Sequence, residues 1–360
     1  MKAAVCYEFG KPLVIEDLEI RAPQPGEVMV RNAATAICHS DIHLVKGDLP
    51  FPAPVVPGHE TAGYVEEVGE GVTGLKKGDP VVASLLISCG ECRMCTTGLP
   101  SLCEYPWERG AVSPYKNQRG ESVDQGFLIG SFAEYTVLHT SQVVKLPADM
   151  PLDSASLLAC GVITGFGAVV WRAKVELGSS CVVVGVGGVG LNSIQAASMV
   201  SAYPVIAVDI NDDKLEAAKQ FGATHTVNSG KEDAVESIMA LTGGHGADYV
   251  FVTVGSTSAM EQSVPMAGTR GQVVWVGIPN VNDVVPISPF MLFRQERSIS
   301  GCWMGSTNLQ NDIPKLVDLY KAGRLKLDEL ITEHYKLEDI DEAMEAIEKG
   351  KALRNIITFD

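Results

Sequence analysis

Four cysteines lie close together in the N-terminal half of the chain. They are Cys89, Cys92, Cys95 and Cys103, in the segment CGECRMCTTGLPSLC. This spacing lets one short loop surround a single ion, and four thiolates form a closed tetrahedron around zinc that leaves no position for water or substrate. An iron–sulfur cluster also takes four thiolates, but the long last gap fits it less well. The loop is therefore predicted to bind a structural zinc ion.

A second set of metal-ligating side chains is dispersed along the chain. CHSDIH begins at Cys38, GHE places His59 beside Glu60, and Cys160 stands in ACGVITG. Each segment alone is more typical of a core or surface residue. Together, a Cys, a His and a second Cys can hold zinc with one coordination position open for a reactant. Such a zinc ion would lower the pKa of an oxygen bound at that open position.

A glycine-rich turn follows a strand-like run. CVVV leads into GVGGVG, whose Gly185, Gly187 and Gly190 match the G-x-G-x-x-G pattern, and a helix is predicted to begin near Val189. The glycines permit a tight turn and close approach of the backbone to a pyrophosphate, which the helix N-terminus attracts. Asp209 ends the next predicted strand and can accept hydrogen bonds from a ribose. Because INDDK holds no Arg to meet a 2′-phosphate, NAD is favoured over NADP.

The elements that must position these residues fall into two regions. Up to about residue 157, short β-branched runs alternate with Gly and Pro, which indicates an irregular, mostly β domain. Beyond it, Ala-rich helical stretches alternate with apolar strands, which indicates βαβ units on a parallel sheet. Those predicted strands are 182–184, 205–208, 249–252 and 273–276.

The C-terminal segment is too short to hold a core alone. It contains a strand-like RSISGCWM, helices predicted around 314–322 and 340–349, and a final strand NIITF. We expect it to return to the first domain. The predicted domains are therefore 1–157 with 297–360, and an inserted nucleotide-binding domain at 158–296.

Composition excludes several classes of partner. The 28 Lys and Arg against 44 Asp and Glu give a net charge of −16, which repels nucleic acid and anionic membranes and favours a small-molecule ligand. No signal-peptide stretch opens the chain, and no apolar run approaches the roughly 18 residues of a spanning helix. A cytoplasmic protein is predicted. Its nine cysteines are then expected to be reduced thiols or metal ligands.

In order and spacing, these motifs resemble those of the zinc-dependent alcohol dehydrogenases of the medium-chain dehydrogenase/reductase superfamily. The resemblance runs from Lys2 to the closing LRNIITF. It implies an α/β fold, with a GroES-like, mostly β catalytic domain and an inserted Rossmann-fold coenzyme domain. It also implies a catalytic zinc on Cys38, His59 and Cys160, the ligand set known for alcohol dehydrogenase, with the carboxylates of Asp41 and Glu60 beside it. Two zinc ions per chain and NAD are the implied cofactors.

The resemblance also assigns roles to further residues. Ser40 and His43 would pass the alcohol proton to solvent, since an imidazole can take up and release a proton near neutral pH. Thr164 would contact the nicotinamide, Lys214 the adenosine ribose, and His39 and Arg354 the pyrophosphate. The implied coenzyme-binding residues are His39, Thr164, Gly185, Gly187, Gly188, Val189, Gly190, Asp209, Lys214, Val254, Val276, Ile278 and Arg354.

The substrate positions that the resemblance implies are mostly apolar, which suits a hydrophobic or aromatic alcohol. They are Ser40, Leu49, Leu85, Phe127 and Ile278. In the glutathione-dependent formaldehyde class an arginine stands four residues after the last structural cysteine. Here that position is Trp107, which disfavours that class.

Two alternatives to an NAD-dependent alcohol dehydrogenase or aldehyde reductase are weaker. A zinc-free quinone or enone reductase of the same fold has no need of Cys38, His59 and Cys160 together. A non-catalytic nucleotide-binding protein has no need of a proton relay through Ser40 and His43. In relatives the coenzyme domains pair through edge strands, and RSISGCWM suits such burial, so a homodimer or homotetramer is expected.

Overall fold

The computed structural model describes residues 1–105 and 113–359, so Trp107 lies outside the described residues. Residues 1–160 and 308–360 form one compact unit, called the first unit below, and residues 161–307 form the second unit. These boundaries differ from the predicted 157/158 and 296/297. The later boundary moves because a strand at Ser298–Gly301 belongs to the sheet of the second unit.

The strands of the described residues are given in chain order. They are β1 (Lys2–Val5), β2 (Val14–Asp17), β3 (Glu19–Ile20), β4 (Glu27–Ala36), β5 (Val55–Val56), β6 (Glu60–Val68), β7 (Pro80–Ser84), β8 (Tyr115–Lys116), β9 (Ser122–Gln125), β10 (Tyr135–His139), β11 (Val143–Lys145), β12 (Cys181–Val184), β13 (Val205–Asp209), β14 (His225–Asn228), β15 (Ala247–Val252), β16 (Ala267–Trp275), β17 (Ser298–Gly301), β18 (Ile331–Tyr335) and β19 (Arg354–Thr358).

The helices follow in the same order. They are α1 (His39–Lys46), α2 (Arg93–Thr96), α3 (Leu152–Ser156), α4 (Gly161–Gly167), which continues as a π-helix (Ala168–Ala173), α5 (Gly188–Met199), α6 (Asp212–Gln220), α7 (Ala234–Leu241), α8 (Thr257–Met266), α9 (Pro289–Gln295), α10 (Leu309–Lys321) and α11 (Ile340–Glu348). Short 3₁₀ turns lie at Pro100–Leu102, Gly126–Leu128, Thr140–Gln142, Leu157–Ala159, Met304–Ser306, Asp328–Leu330 and Leu337–Asp339.

The first unit is built on a seven-stranded sheet in the order β11-β7-β6-β4-β19-β18, with β10 also pairing with β4. The β-branched runs of the N-terminal region form five of these strands. Val28 and Val30 of β4 and Val65 of β6 are buried in one core cluster, so one face of the sheet packs against that core. The pairing of β4 with β6 has register shifts at Met29/Val30 and at Asn32/Ala34.

The second unit contains a six-stranded, fully parallel sheet in the order β14-β13-β12-β15-β16-β17. The four predicted strands are its central members, and their valine-rich runs are almost wholly buried, as expected of strands covered on both faces. β14 and β17 are the two edges. HTVN in β14 is short and half polar, so its sequence carries no clear strand period.

No single helix of the described residues is long and apolar enough to cross a membrane. The consecutive helical segments 152–159 and 161–173 reach the length and apolar composition of a membrane-spanning helix only when they are counted together.

Candidate active site and metal centres

The pairing of β4 with β6 brings two predicted metal ligands together. Ala36 at the end of β4 lies opposite Glu60 at the start of β6. Cys38, the N-cap of α1, follows β4 by two residues, and His59 directly precedes β6. Cys160 follows the 3₁₀ turn that ends at Ala159. One ligand atom each from Cys38, His59, Glu60 and Cys160 all lie within 4.8 Å of one another.

Asp41 fixes the orientation of the His59 imidazole. Its buried Oδ1 accepts hydrogen bonds from His59 Nδ1 at 2.7 Å and from the Gly58 backbone N–H at 3.1 Å, and its Oδ2 accepts from the Cys38 N–H at 3.0 Å. The other ring nitrogen, Nε2, is buried and has no hydrogen-bond partner among the described residues. An imidazole held by a carboxylate at one nitrogen and bare at the other is the arrangement expected of a metal ligand.

Electrostatics within the cluster favour a bound cation. The pKa of Cys38 is well below its usual value, because the Cys160 thiol donates a hydrogen bond to its sulfur, and the same bond raises the pKa of Cys160. Burial opposes the charged form of His59, yet the charge of Asp41 raises its pKa overall. Two sulfurs that share a proton beside a bare imidazole nitrogen provide the donor set of a Cys–His–Cys zinc site, so the residues fit the metal.

Glu60 makes a buried ion pair that sequence reasoning missed. Its Oε2 lies 2.6 Å from Arg354 Nη2, and Arg354 is only 4% exposed. Burial raises the pKa of Glu60 to about 8 against the opposing charge of Arg354. Arg354 was expected to face a coenzyme pyrophosphate, and that contact stays a prediction. No local signal could reveal the pair, because it depends on β19 lying next to β4.

The proton-relay candidates lie on α1. Ser40 Oγ lies 3.8 Å from Cys38 Sγ, within the range of a weak hydrogen bond, which puts that hydroxyl at the edge of the metal cluster. His43, one turn further along the helix, is 48% exposed and its Nδ1 lies 2.8 Å from Asp48 Oδ2. His39 is exposed at the start of the helix. The half-buried Ser40 hydroxyl and the exposed His43 imidazole, three residues apart, share one side of the helix.

The aromatic ring of Phe127 packs on the metal cluster. Its centroid lies 4.5 Å from the His59 ring and 4.8 Å from the Phe51 ring. Phe127 and Leu128 both adopt left-handed backbone conformations, with φ of 55° and 59°. Left-handed conformations cost free energy for residues other than glycine, and residues that adopt them concentrate at functional sites. The Gln125 side chain holds this turn by donating to the Ile129 carbonyl at 2.9 Å.

The other apolar substrate candidates lie at different places in the fold. Leu49 packs against the same core cluster as Phe127, while Leu85 packs against the cluster beneath β4, β6 and β7. Ile278 belongs to the second unit and is 45% exposed.

The four-cysteine loop has the geometry of a closed tetrahedral site. All four sulfurs lie within 4.8 Å of one another, and the Cys89–Cys95 and Cys92–Cys103 sulfur pairs are each 4.0 Å apart. Zinc–sulfur bonds of ~2.3 Å imply tetrahedron edges of about 3.8 Å. The backbone N–H of Glu104 donates to Cys92 Sγ and lowers the pKa of Cys92 to about 6, which favours a thiolate. The predicted ligands therefore converge as a zinc site requires.

Cys95→Ala should destabilise the protein and leave the chemistry of the folded molecules intact. A closed four-thiolate site holds a loop and offers no position to a substrate, so its loss costs folding free energy, at least about 3 kcal/mol. Thermal unfolding, compared with turnover per folded molecule, checks this. Loss of turnover with an unchanged melting temperature would show that the site is not structural.

The glycine-rich turn has the geometry of a phosphate cradle. Gly185 has a φ of +88°, which favours glycine, and a Cβ on Gly190 would lie 1.9 Å from the Gly185 carbonyl oxygen. A Cβ on Gly187, by contrast, would meet nothing within 4 Å, so open space faces the N-terminus of α5. That helix begins at Gly188, one residue before the predicted Val189. These three positions have the geometry that a pyrophosphate site would need.

The carboxyl ends of the central parallel strands bring further coenzyme candidates to the same sheet edge. Asp209 ends β13, and its Oδ2 accepts from the Val186 N–H at 2.7 Å, which ties the acid to the glycine turn. Val254 and Val276 follow β15 and β16. Ligands of open α/β sheets bind at this edge. Lys214 stands in the first turn of α6.

Thr164, the nicotinamide candidate, is buried in α4. Its hydroxyl donates to Met304 Sδ at 3.7 Å, within the second unit.

Two family models match the chain: "Alcohol dehydrogenase GroES-like domain" at residues 24–148 and "Zinc-binding dehydrogenase" at residues 188–322. An NDMA-dependent alcohol dehydrogenase of Amycolatopsis methanolica is 40% identical, over 99% of this chain and 98% of its own. A putative alcohol dehydrogenase D of Mycobacterium tuberculosis is 38% identical over the same shares. The crystal structure of benzyl alcohol dehydrogenase from Acinetobacter calcoaceticus is 35% identical, with a TM-score of 0.94, over 100% of this chain and 99% of that one.

This chain belongs to the zinc-type alcohol dehydrogenases of the medium-chain dehydrogenase/reductase superfamily. Its fold is accordingly a GroES-like domain with a Rossmann-type parallel sheet, as predicted. It is a zinc-dependent alcohol oxidoreductase, and neither the zinc-free reductase nor the non-catalytic binding protein is favoured.

Proposed function

We propose that this protein transfers hydride between an apolar primary or secondary alcohol and NAD, at a zinc ion held by Cys38, His59 and Cys160. The observation that carries the proposal is the convergence of these three ligands around a buried His59 Nε2 that has no other partner among the described residues. Zinc bound there would supply a Lewis acid that lowers the pKa of the alcohol oxygen.

The protein's own residues hold the reactants and move the proton. Asp41 keeps the imidazole of His59 turned toward the cluster. Ser40 Oγ, beside Cys38, would accept the alcohol proton, and the exposed His43 would release it to water. Arg354 holds the Glu60 carboxyl group next to the metal ligands.

The choice of NAD is supported by the glycine turn and by Asp209. Gly187 leaves room for a pyrophosphate, and the acid at the end of β13 suits ribose hydroxyls while repelling a 2′-phosphate. The NDMA dependence in the name of the Amycolatopsis relative makes NDMA the second acceptor to compare.

An acceptor panel tests this proposal. With benzyl alcohol as substrate, NAD should give a rise in absorbance at 340 nm, and NADP a much slower one. A reaction that proceeds with NDMA and shows no dependence on added NAD, in protein proven free of nicotinamide by extraction, would refute NAD as the hydride acceptor.

Exchanging two residues at the ribose site should move coenzyme preference from NAD toward NADP. Asp209→Gly removes the charge that opposes a 2′-phosphate, and Ile210→Arg adds a partner for it at a position that is 76% exposed and can accept a long side chain. One charge-assisted contact is worth roughly 1.5–3 kcal/mol, so the NAD to NADP ratio of kcat/KM should shift by at least about tenfold.

The measurement compares both specificity constants for one alcohol in the wild type and the variant, with zinc content as the control. A wild type that already prefers NADP, or a ratio that does not move, would show that Asp209 is not the ribose ligand.

An aromatic alcohol is the proposed substrate class. The ring of Phe127 lies against His59, and this arrangement offers an aromatic surface next to the metal ligands. The benzyl alcohol dehydrogenase from Acinetobacter supports the same class by similarity. Comparison of kcat/KM for benzyl alcohol with that for straight-chain and charged alcohols checks it, and a preference for a charged alcohol would contradict it.

Association in a homodimer or homotetramer is proposed from the edge of the second unit's sheet. β17 is an edge strand, and Phe290 and Phe293 of the neighbouring helix α9 are 68% and 81% exposed. An unpaired strand edge and exposed aromatic rings favour an interface in which a second copy of the chain buries them. Phe293→Asp should therefore shift sedimentation toward monomer at micromolar concentration, and a monomeric wild type would refute the proposal.

A cytoplasmic location is proposed as well. All nine cysteines are free thiols, and the two predicted zinc sites require six of them reduced.

A further inference from the structure

A buried serine hydroxyl without a partner lies next to Glu60 in the seven-stranded sheet. Ser84 ends β7 and is fully buried, and its Oγ has no hydrogen-bond partner among the described residues. The same holds for Oε1 of Glu60. Buried polar atoms of folded proteins nearly always have a partner, so two such atoms on neighbouring strands call for a common explanation.

The strand register places these two groups within reach of each other. Ser84 lies directly opposite Glu60 in the antiparallel pairing of β7 with β6, so both side chains point to the same face, with Cβ atoms about 4.5–5.5 Å apart. A hydroxyl can donate the hydrogen bond that a carboxylate oxygen accepts. Rotation of the serine hydroxyl into another staggered position, or one buried water, closes the remaining gap.

The backbone around Ser84 is already fixed. Gln142 Nε2 donates to the Ser84 carbonyl at 3.3 Å and to the Leu128 carbonyl at 3.2 Å. Only the Ser84 hydroxyl can therefore change its orientation. The acceptor without a partner on the residue directly opposite is Glu60 Oε1.

We propose that Ser84 is a positioning residue that holds Glu60 Oε1 away from the metal, directly or through one water. Arg354 holds the other oxygen at 2.6 Å. With both oxygens engaged, the carboxylate cannot turn into the open coordination position, which stays free for the alcohol. Without the hydroxyl, Glu60 turns toward the metal, since carboxylate oxygens are zinc ligands and a Glu60 oxygen lies within 4.8 Å of the ligand atoms of Cys38, His59 and Cys160. This inference rests on the proposed function.

The test uses the full-length protein with cobalt in place of the catalytic zinc. Ser84→Ala should change the visible cobalt spectrum, because a carboxylate oxygen joins the ligands. It should also slow metal release to a chelator by about tenfold or more and raise the KM for benzyl alcohol, with Kd for NADH unchanged. The four-cysteine site contributes equally to every variant, so the differences report the Cys38–His59–Cys160 site.

Three further variants make the outcome specific. Ser263→Ala removes a buried hydroxyl that bonds only within the second unit, and should leave all three readouts unchanged. Ser84→Thr keeps the hydroxyl and should behave like the wild type. In a Glu60→Gln background, Ser84→Ala should add nothing, because the group on which it acts is gone.

A wild-type spectrum and release rate in Ser84→Ala would overturn the role of Ser84. An effect of equal size in the Glu60→Gln background would overturn it too, because Ser84 would then act elsewhere. Failure of the wild type to bind cobalt at Cys38, His59 and Cys160 would overturn the proposed function itself, so the two failures are distinguishable.

Discussion

Cys160→Ala should abolish alcohol oxidation while leaving a folded protein that still binds NADH. The substitution removes one of three ligands around His59 Nε2. A metal that stabilises a developing charge contributes several kcal/mol, so turnover should fall by about a thousandfold or more. The glycine turn belongs to the second unit and is unchanged, so Kd for NADH should stay within about twofold, since no coenzyme contact of that turn is lost.

Metal analysis provides the control for this variant. Zinc should fall from about two ions per chain to about one, because the four-cysteine site is independent of Cys160. A variant that keeps both zinc ions and its turnover would refute the assignment of Cys160 as a catalytic ligand.

Gly187→Ala should weaken NADH binding without loss of stability. A Cβ at this position meets no atom within 4 Å, and the φ of −89° is open to alanine, so the fold accepts the methyl group. The same methyl group occupies the space that a pyrophosphate needs at the start of α5. We expect Kd for NADH to rise by about tenfold or more, which corresponds to about 1.4 kcal/mol.

Gly190→Ala is the matched comparison for Gly187→Ala. Its Cβ would lie 1.9 Å from the Gly185 carbonyl oxygen, so the backbone itself must move. This variant should lose both coenzyme affinity and stability, the latter by about 2 kcal/mol or more. Fluorescence titration with NADH and thermal unfolding separate the two cases. Equal affinity in Gly187→Ala and the wild type would show that no phosphate approaches this glycine.

The sequence indicated candidate sites most clearly where their residues lie close together in the chain. The four cysteines fall within one loop, and the glycine turn stands between a strand and a helix, so spacing alone indicated what each could bind. The buried parallel strands could also be predicted, because short valine-rich runs are typical of strands in a sheet covered on both faces.

The sequence did not indicate contacts that depend on the pairing of distant segments. The Glu60–Arg354 ion pair joins residues 294 positions apart, and the register of Ser84 opposite Glu60 exists only once β6 and β7 have paired. Phe127 and Leu128 adopt left-handed conformations that their residue types disfavour, so the turn that lays Phe127 on His59 had no sequence signal.

Helix α10 shows how a local rule can mislead. Proline favours the first turn of a helix, and the helix was predicted from Pro314. The structure begins it at Leu309, where Asp312 Oδ2 accepts a hydrogen bond from the N–H of the N-cap Asn308 at 2.9 Å. The Asn308 side chain makes no capping bond of its own, and the helix starts five residues before the proline.

Transfer of deuterium from the alcohol to the coenzyme tests the central claim most directly. Benzyl alcohol with both hydrogens of its reacting carbon replaced by deuterium is mixed with NAD and the zinc-loaded protein, and the NADH formed is analysed by mass spectrometry. The proposed function predicts one deuterium per NADH with the wild type and no labelled NADH with Cys160→Ala. Unlabelled NADH from the wild type, or labelled NADH formed equally fast by Cys160→Ala, would contradict hydride transfer at the Cys38–His59–Cys160 site.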